Sequence, residues 1–196
     1  MTLYQNVMTG SPRGPAWRTA NYRSIHQPCA NDFSYNGAFS KQVTPVAASQ
    51  YWYEDFTPGR KFPGTAHVLD DTAFSLFAQM TGDAHPLHYD AEYAKNTQFG
   101  KPLAHGLLLM SMTALGASPL SAHVEQSMVA FLEQGGKFLK PVLGGDTVTP
   151  TLEVADARPA SNPANGIVRF AAHLTNQRGE PVLAGFHTYL IKRRPA

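Results

Sequence analysis

Between Leu103 and Leu115 the chain carries apolar residues on nearly every side of a helical wheel. Leu103, Leu107, Met110 and Ala114 share one face, and Leu108, Leu109, Met112 and Leu115 fill most of the others. A helix that is apolar nearly all round has to be buried nearly all round. The run contains Ser111 and Thr113 and is too short to span a bilayer, so the protein itself must supply the cover. Gly116 and Pro119 are expected to end the helix. The cover is legible downstream, where the period changes from 3.6 to 2. Val148, Leu152 and Val154 fall on one face of a strand that Gly145-Asp146 opens, with Thr147, Thr149, Thr151 and Glu153 on the other. Val168, Phe170, Ala172 and Leu174 alternate with Arg169, Ala171 and His173. Val182 to Lys192 reads as a third long strand, Ser127 to Glu133 as a fourth, and Arg178-Gly179 as a hairpin turn.

Upstream, Phe62 to Leu69 has strand character broken by Pro63-Gly64. Asp70 or Asp71 caps a helix that carries Phe74, Phe77, Ala78 and Thr81 to a stop at Gly82, and a short helix follows around Ala91 to Asn96. One buried helix with a strand-rich remainder implies an α+β layout, an antiparallel sheet curled around that helix. Residues 51–196 make this domain. Residues 1–50 differ in kind: they are rich in Pro, Gly, Ser, Asn and Gln, keep no hydrophobic period, and set Arg13, Arg18, Arg23 and Lys41 against the single acid Asp32. They read as an irregular N-terminal extension lying along the core or across a partner subunit. Pro12, Pro15 and Pro28 oppose the amphipathic helix of a transit peptide, and no signal-peptide pattern opens the chain.

Composition excludes several functions. With 43% hydrophobic and 15% charged residues the 196-residue chain is globular, not disordered. A net charge of +2, with no basic cluster beyond Lys192-Arg193-Arg194, argues against nucleic acid. The lone Cys29 excludes a disulfide scaffold and a cysteine zinc site, and fits a reducing, cytoplasmic compartment.

Polar residues crowd into one stretch: Asp83, His85, His88 and Asp90, followed by His105-Gly106 at the start of the buried helix. Pro86 interrupts any continuing helix, so Asp83 to Asp90 reads as an ordered turn. Three readings compete. His85 and His88 could ligate a metal, although Pro86 stands between them. Asp83 could cap the turn while a backbone carbonyl satisfies His88. Or a carboxylate and an imidazole five residues apart on a proline-stiffened turn converge on one water, beside free N–H groups at Gly106 suited to a developing oxyanion.

The segments Thr81-Gly82-Asp83-Ala84-His85-Pro86-Leu87-His88 and Phe99-Gly100-Lys101-Pro102-Leu103-Ala104-His105-Gly106 resemble the MaoC-like, or (R)-specific enoyl-CoA hydratase, family. The resemblance runs from about Tyr51 to the C-terminus and implies a hotdog fold, a curved antiparallel sheet around a central helix. It implies Asp83 and His88 as the catalytic pair and the Gly106 amide as the group facing the thioester, with His85, Pro86, His105 and Ser111 at the substrate. It also implies water addition to a trans-2-enoyl thioester of CoA or acyl carrier protein, giving the (R)-3-hydroxyacyl product, or the reverse. No cofactor and no metal are expected, and neither is a membrane or nucleic-acid partner; a homodimer is. The family usually has Asn at the place of His85, and often a serine at the place of Ala114, so the pocket wall is altered. Lys137, Lys140, Arg158 and Arg169 are candidates for a rim that meets CoA phosphates. A hotdog acyl-CoA thioesterase and a non-catalytic acyl-binding hotdog protein are the rivals.

Overall fold

The computed structural model describes residues 49–195; the expected N-terminal extension lies outside the described residues except for its last two. Strict alternation dominates the C-terminal half. β4 (Thr147–Pro159) buries Val148, Pro150, Leu152 and Val154, and β5 (Asn165–Asn176) buries every second residue along its length. β6 (Pro181–Lys192) and β3 (Met128–Phe138) complete the long strands. The short β1 (Lys61–Pro63) and β2 (His67–Val68) both pair with β4, so Pro63-Gly64 splits the first apolar run as expected. All pairings are antiparallel, in the order β1-β4-β5-β6-β3 with β2 beside β4. β3 extends five residues beyond the expected end at Glu133.

The β5–β6 hairpin turns where Arg178-Gly179 directs it. Gly179 has φ 74°, and the Asn176 side chain accepts from Arg178 N and Glu180 N, each at 3.0 Å.

The helices pack on one face of this sheet. α1 (Asp71–Thr81) starts where Asp70 Oδ1 accepts from Ala73 N at 2.9 Å and stops at Gly82, φ 74°. α3 (Ala91–Lys95) is capped by Asp90. α4 (Gly106–Ser111) corrects the reading of the apolar run. It has six residues, and only Leu108 and Leu109 are buried within it, while Leu107 is 63% exposed. The physical reason is local: Leu103 is extended and bridged to Leu143, and past Ser111 the Thr113 hydroxyl bonds the Met110 carbonyl as the chain turns away. The helical cover of the sheet is therefore shared. Phe74 and Phe77 of α1 join Leu108 and Leu109 of α4 against Val148, Leu174, Val182 and Leu183. A second core cluster centres on Phe170, with Phe56, Phe62 and Tyr189 rings 5.6–6.1 Å away, under α5 (Leu120–His123). No helix among the described residues is long and apolar enough to cross a membrane.

Candidate active site

Asp83 lies just past the Gly82 stop, and its Oδ1 accepts from His85 N at 3.1 Å, closing a turn. Within the expected ordered turn, Pro86 opens a short helix, α2 (Pro86–Tyr89). Proline suits the first helical position, where its missing N–H would have had no acceptor. The His85 ring caps this helix, with Nδ1 accepting from Leu87 N at 3.2 Å. His105 repeats the device at the start of α4, with Nδ1 accepting from Leu107 N at 3.1 Å.

That cap fixes the His105 tautomer. With Nδ1 accepting, the proton sits on Nε2, which donates to Asp83 Oδ2 at 2.6 Å. The two segments, 22 residues apart, are thereby joined. His88 is fixed in the opposite sense. Its Nδ1 lies 2.6 Å from the Leu103 carbonyl, which can only accept, so Nδ1 carries the hydrogen and Nε2 keeps a lone pair. The His88 and His105 rings stand 4.9 Å apart, and the Phe77 ring also packs 4.9 Å from His105.

The direct hydrogen-bond partner of Asp83 is His105. The two backbone roles, Asp83 closing the turn and His88 held by a carbonyl, are both present; each Asp83 oxygen accepts one hydrogen bond, from His85 N and from His105 Nε2, and His88 keeps its Nε2 for chemistry. The His85 N–H, then the His105 ring, lowers the Asp83 pKa below the usual carboxylate value, so it is ionised at neutrality. Nothing in the spacing announced Tyr89: its hydroxyl is buried without a hydrogen-bond partner, and burial, then the Asp83 charge, raises its pKa.

Gly106 is the first residue of α4, so its N–H has no intrahelical acceptor. A Cβ there would stand 2.8 Å from Cζ of Phe138 at the end of β3. Ser111 turns its hydroxyl back to Leu108 O at 2.7 Å. It lines both of two apolar cavities: one of about 640 Å3 against Phe77 and Met80, and one of about 270 Å3 against Phe131 and Tyr189. Of the candidate rim cations, Lys140, Arg158 and Arg169 are paired with Glu180, Asp156 and Glu133, and Arg169 also stacks 3.7 Å over Phe186. His85 and His88 lie 6.0 Å apart, and among the described residues no three His, Cys, Asp or Glu side chains gather where they could hold a metal ion.

Comparison with known proteins places this geometry in a family. An (R)-specific enoyl-CoA hydratase of Rhodospirillum rubrum is 28% identical over 144 residues, 74% of this chain and 94% of its own. The structure of an Archaeoglobus protein described as a monoamine oxidase regulatory protein is 35% identical, with TM-score 0.70 over 76% of this chain and 99% of that one. A double-hotdog protein of Mycobacterium tuberculosis, 20% identical, matches at TM-score 0.64 over 74% of this chain and 45% of its own, a likeness of fold alone. The fold is the hotdog fold. The family model for the MaoC-like domain matches residues 55–176, and the chain belongs to that family.

Proposed function

We propose that the protein adds water to a trans-2-enoyl thioester, or removes it from the (R)-3-hydroxyacyl thioester, at Asp83 and His88. One observation carries this reading: an ionised carboxylate and an imidazole with a free Nε2 lone pair are held in adjoining turns, and the carboxylate is tied to His105, the residue before the Gly106 amide. A water between the two groups is oriented by both. As its oxygen bonds C3, Asp83 accepts one of its protons and the π electrons move toward the thioester. Gly106 N–H holds the resulting charge on the thioester oxygen. The pair returns a proton to C2, so both groups end as they began. His105 is a positioning residue that holds Asp83 by its Oδ2. Substrate that excludes water from Asp83 favours its neutral form, which makes a carboxylate held down in the free protein a better base.

A CoA thioester is the substrate this reading favours, in the reducing cytoplasm that a single cysteine suits. The assay is loss of the ultraviolet absorbance of crotonyl-CoA with formation of (R)-3-hydroxybutyryl-CoA. Release of free CoA thiol instead would replace hydration with thioester cleavage.

The protein works as a homodimer. Among the described residues β3 is an unpaired edge of the sheet, and it exposes Met128, Val129, Phe131, Leu132 and Phe138. An edge strand this apolar calls for a covering partner. Light scattering should report a dimer or larger at micromolar concentration; a monomer would contradict the proposal.

A further inference from the structure

The 270 Å3 cavity lies between Met110, Ser111 and Ala114 on one side and Phe131, His187 and Tyr189 of the sheet on the other. Its walls are mostly apolar, yet they carry two buried polar rings, His187 at 2% and Tyr189 at 4% exposure. His187 Nε2 lies 3.0 Å from Thr113 Oγ1, and Nδ1 lies 3.2 Å from the Tyr189 hydroxyl. The direction of these bonds follows from one end. Thr113 Oγ1 donates its hydrogen to Met110 O at 2.7 Å, so it accepts from His187 Nε2–H. The imidazole then has a lone pair at Nδ1, to which the Tyr189 hydroxyl donates. Burial lowers the His187 pKa and pushes Tyr189 up to about 12, so the chain of bonds stays neutral. Every hydrogen in it is used. What remains open on Tyr189 is an acceptor lone pair for which the described residues supply no hydrogen bond.

The cavity also lies in line with the site. β3 runs beside α4: the Phe138 ring covers Gly106, Gly136 abuts Met110, and Phe131 enters the cavity wall. Five residues of helix separate Gly106 from Ser111, roughly 7 Å at the standard rise, the reach of an acyl chain of about six carbons.

We infer that this cavity takes the far end of the acyl chain and that Tyr189, oriented by His187 and Thr113, selects acyl groups bearing a terminal hydroxyl over plain alkyl ones. The inference rests on the thioester reading above for the position of the carbonyl. An alkyl end leaves the Tyr189 lone pair against hydrocarbon, and a carboxylate sets acceptor against acceptor and brings a charge into an apolar cavity. A purely structural trio would need only the Thr113–His187 bond, which ties the turn after α4 to β6; the phenol oxygen would not matter to any ligand.

The test is calorimetric titration of the full chain with hexanoyl-, octanoyl- and decanoyl-CoA and their ω-hydroxy counterparts. These saturated thioesters cannot be hydrated, so binding is read apart from turnover. At the chain length that reaches Tyr189 the hydroxy form should bind about fivefold tighter, the scale of one hydrogen bond. Tyr189→Phe, which keeps the ring, should bring that ratio to parity. Equal or weaker binding of the hydroxy forms to the wild type at all three lengths overturns the inference, as does a ratio that survives in Tyr189→Phe. The wild-type ratios decide it even where the variant fails to fold. Crotonyl-CoA hydration measured on the same preparation is a separate result: its failure removes the hydratase reading, while the binding ratios still decide this one.

Discussion

Asp83→Asn separates the chemistry of the turn from its architecture. Two N–H groups converge on the carboxylate, His85 N on Oδ1 and His105 Nε2 on Oδ2, at 3.1 and 2.6 Å. An amide offers one acceptor oxygen and sets its own NH2 against the other donor. His105 cannot relieve the conflict by changing tautomer, because its Nδ1 is occupied by Leu107 N–H. One hydrogen bond is therefore lost in either orientation of the amide. The group is about one-third exposed, at 36%, and water replaces the lost partner, so melting should fall by a few degrees at most. Turnover should fall by about two orders of magnitude or more, because the amide cannot accept a proton. Crotonyl-CoA hydration and a thermal melt on the same sample check both halves. Turnover within tenfold of wild type in a folded variant would refute Asp83 as the base. A collapse of the fold would show that the carboxylate is there for the turn.

Three further outcomes are expected. His85→Asn should keep most of the activity near pH 8, because an amide oxygen can cap Leu87 N as His85 Nδ1 does; a collapse of turnover in a folded variant would show that the imidazole itself is needed. Asn176, Lys140 and Arg178 hold the Glu180 carboxyl down to about 2 from an ordinary 4.5. Its folded value is depressed, so its stabilisation is complete above about 4.5 and lost as pH falls toward 2; Glu180→Gln should flatten the stability–pH slope across that window in denaturant melts. Phe170→Ala, at 1% exposure and with three aromatic neighbours, should cost about 3–5 kcal/mol in chemical denaturation.

Period and punctuation in the sequence determined the sheet and the ends of α1. The alternation of Val168, Phe170, Ala172 and Leu174 survives in the structure because each strand has one face on the core, so a one-residue slip would expose the whole set. Asp70 and Gly82 bound α1 because capping and positive φ are properties of single residues. The motif residues were legible too, since Asp83, His85, His88 and His105 come together as their crowding suggested. Tertiary structure alone decided three things. The apolar run at Leu103–Leu115 became a six-residue helix, because helical periodicity records which side chains want cover and not where the backbone stops. Asp83 was tied to His105, 22 residues on, because the cap at Leu107 N takes Nδ1 of that ring and leaves Nε2–H to donate. And His187, one alternating position among many in β6, became a buried link between Thr113 and Tyr189, because only the packing of α4 on the sheet sets residues 74 apart within a hydrogen bond.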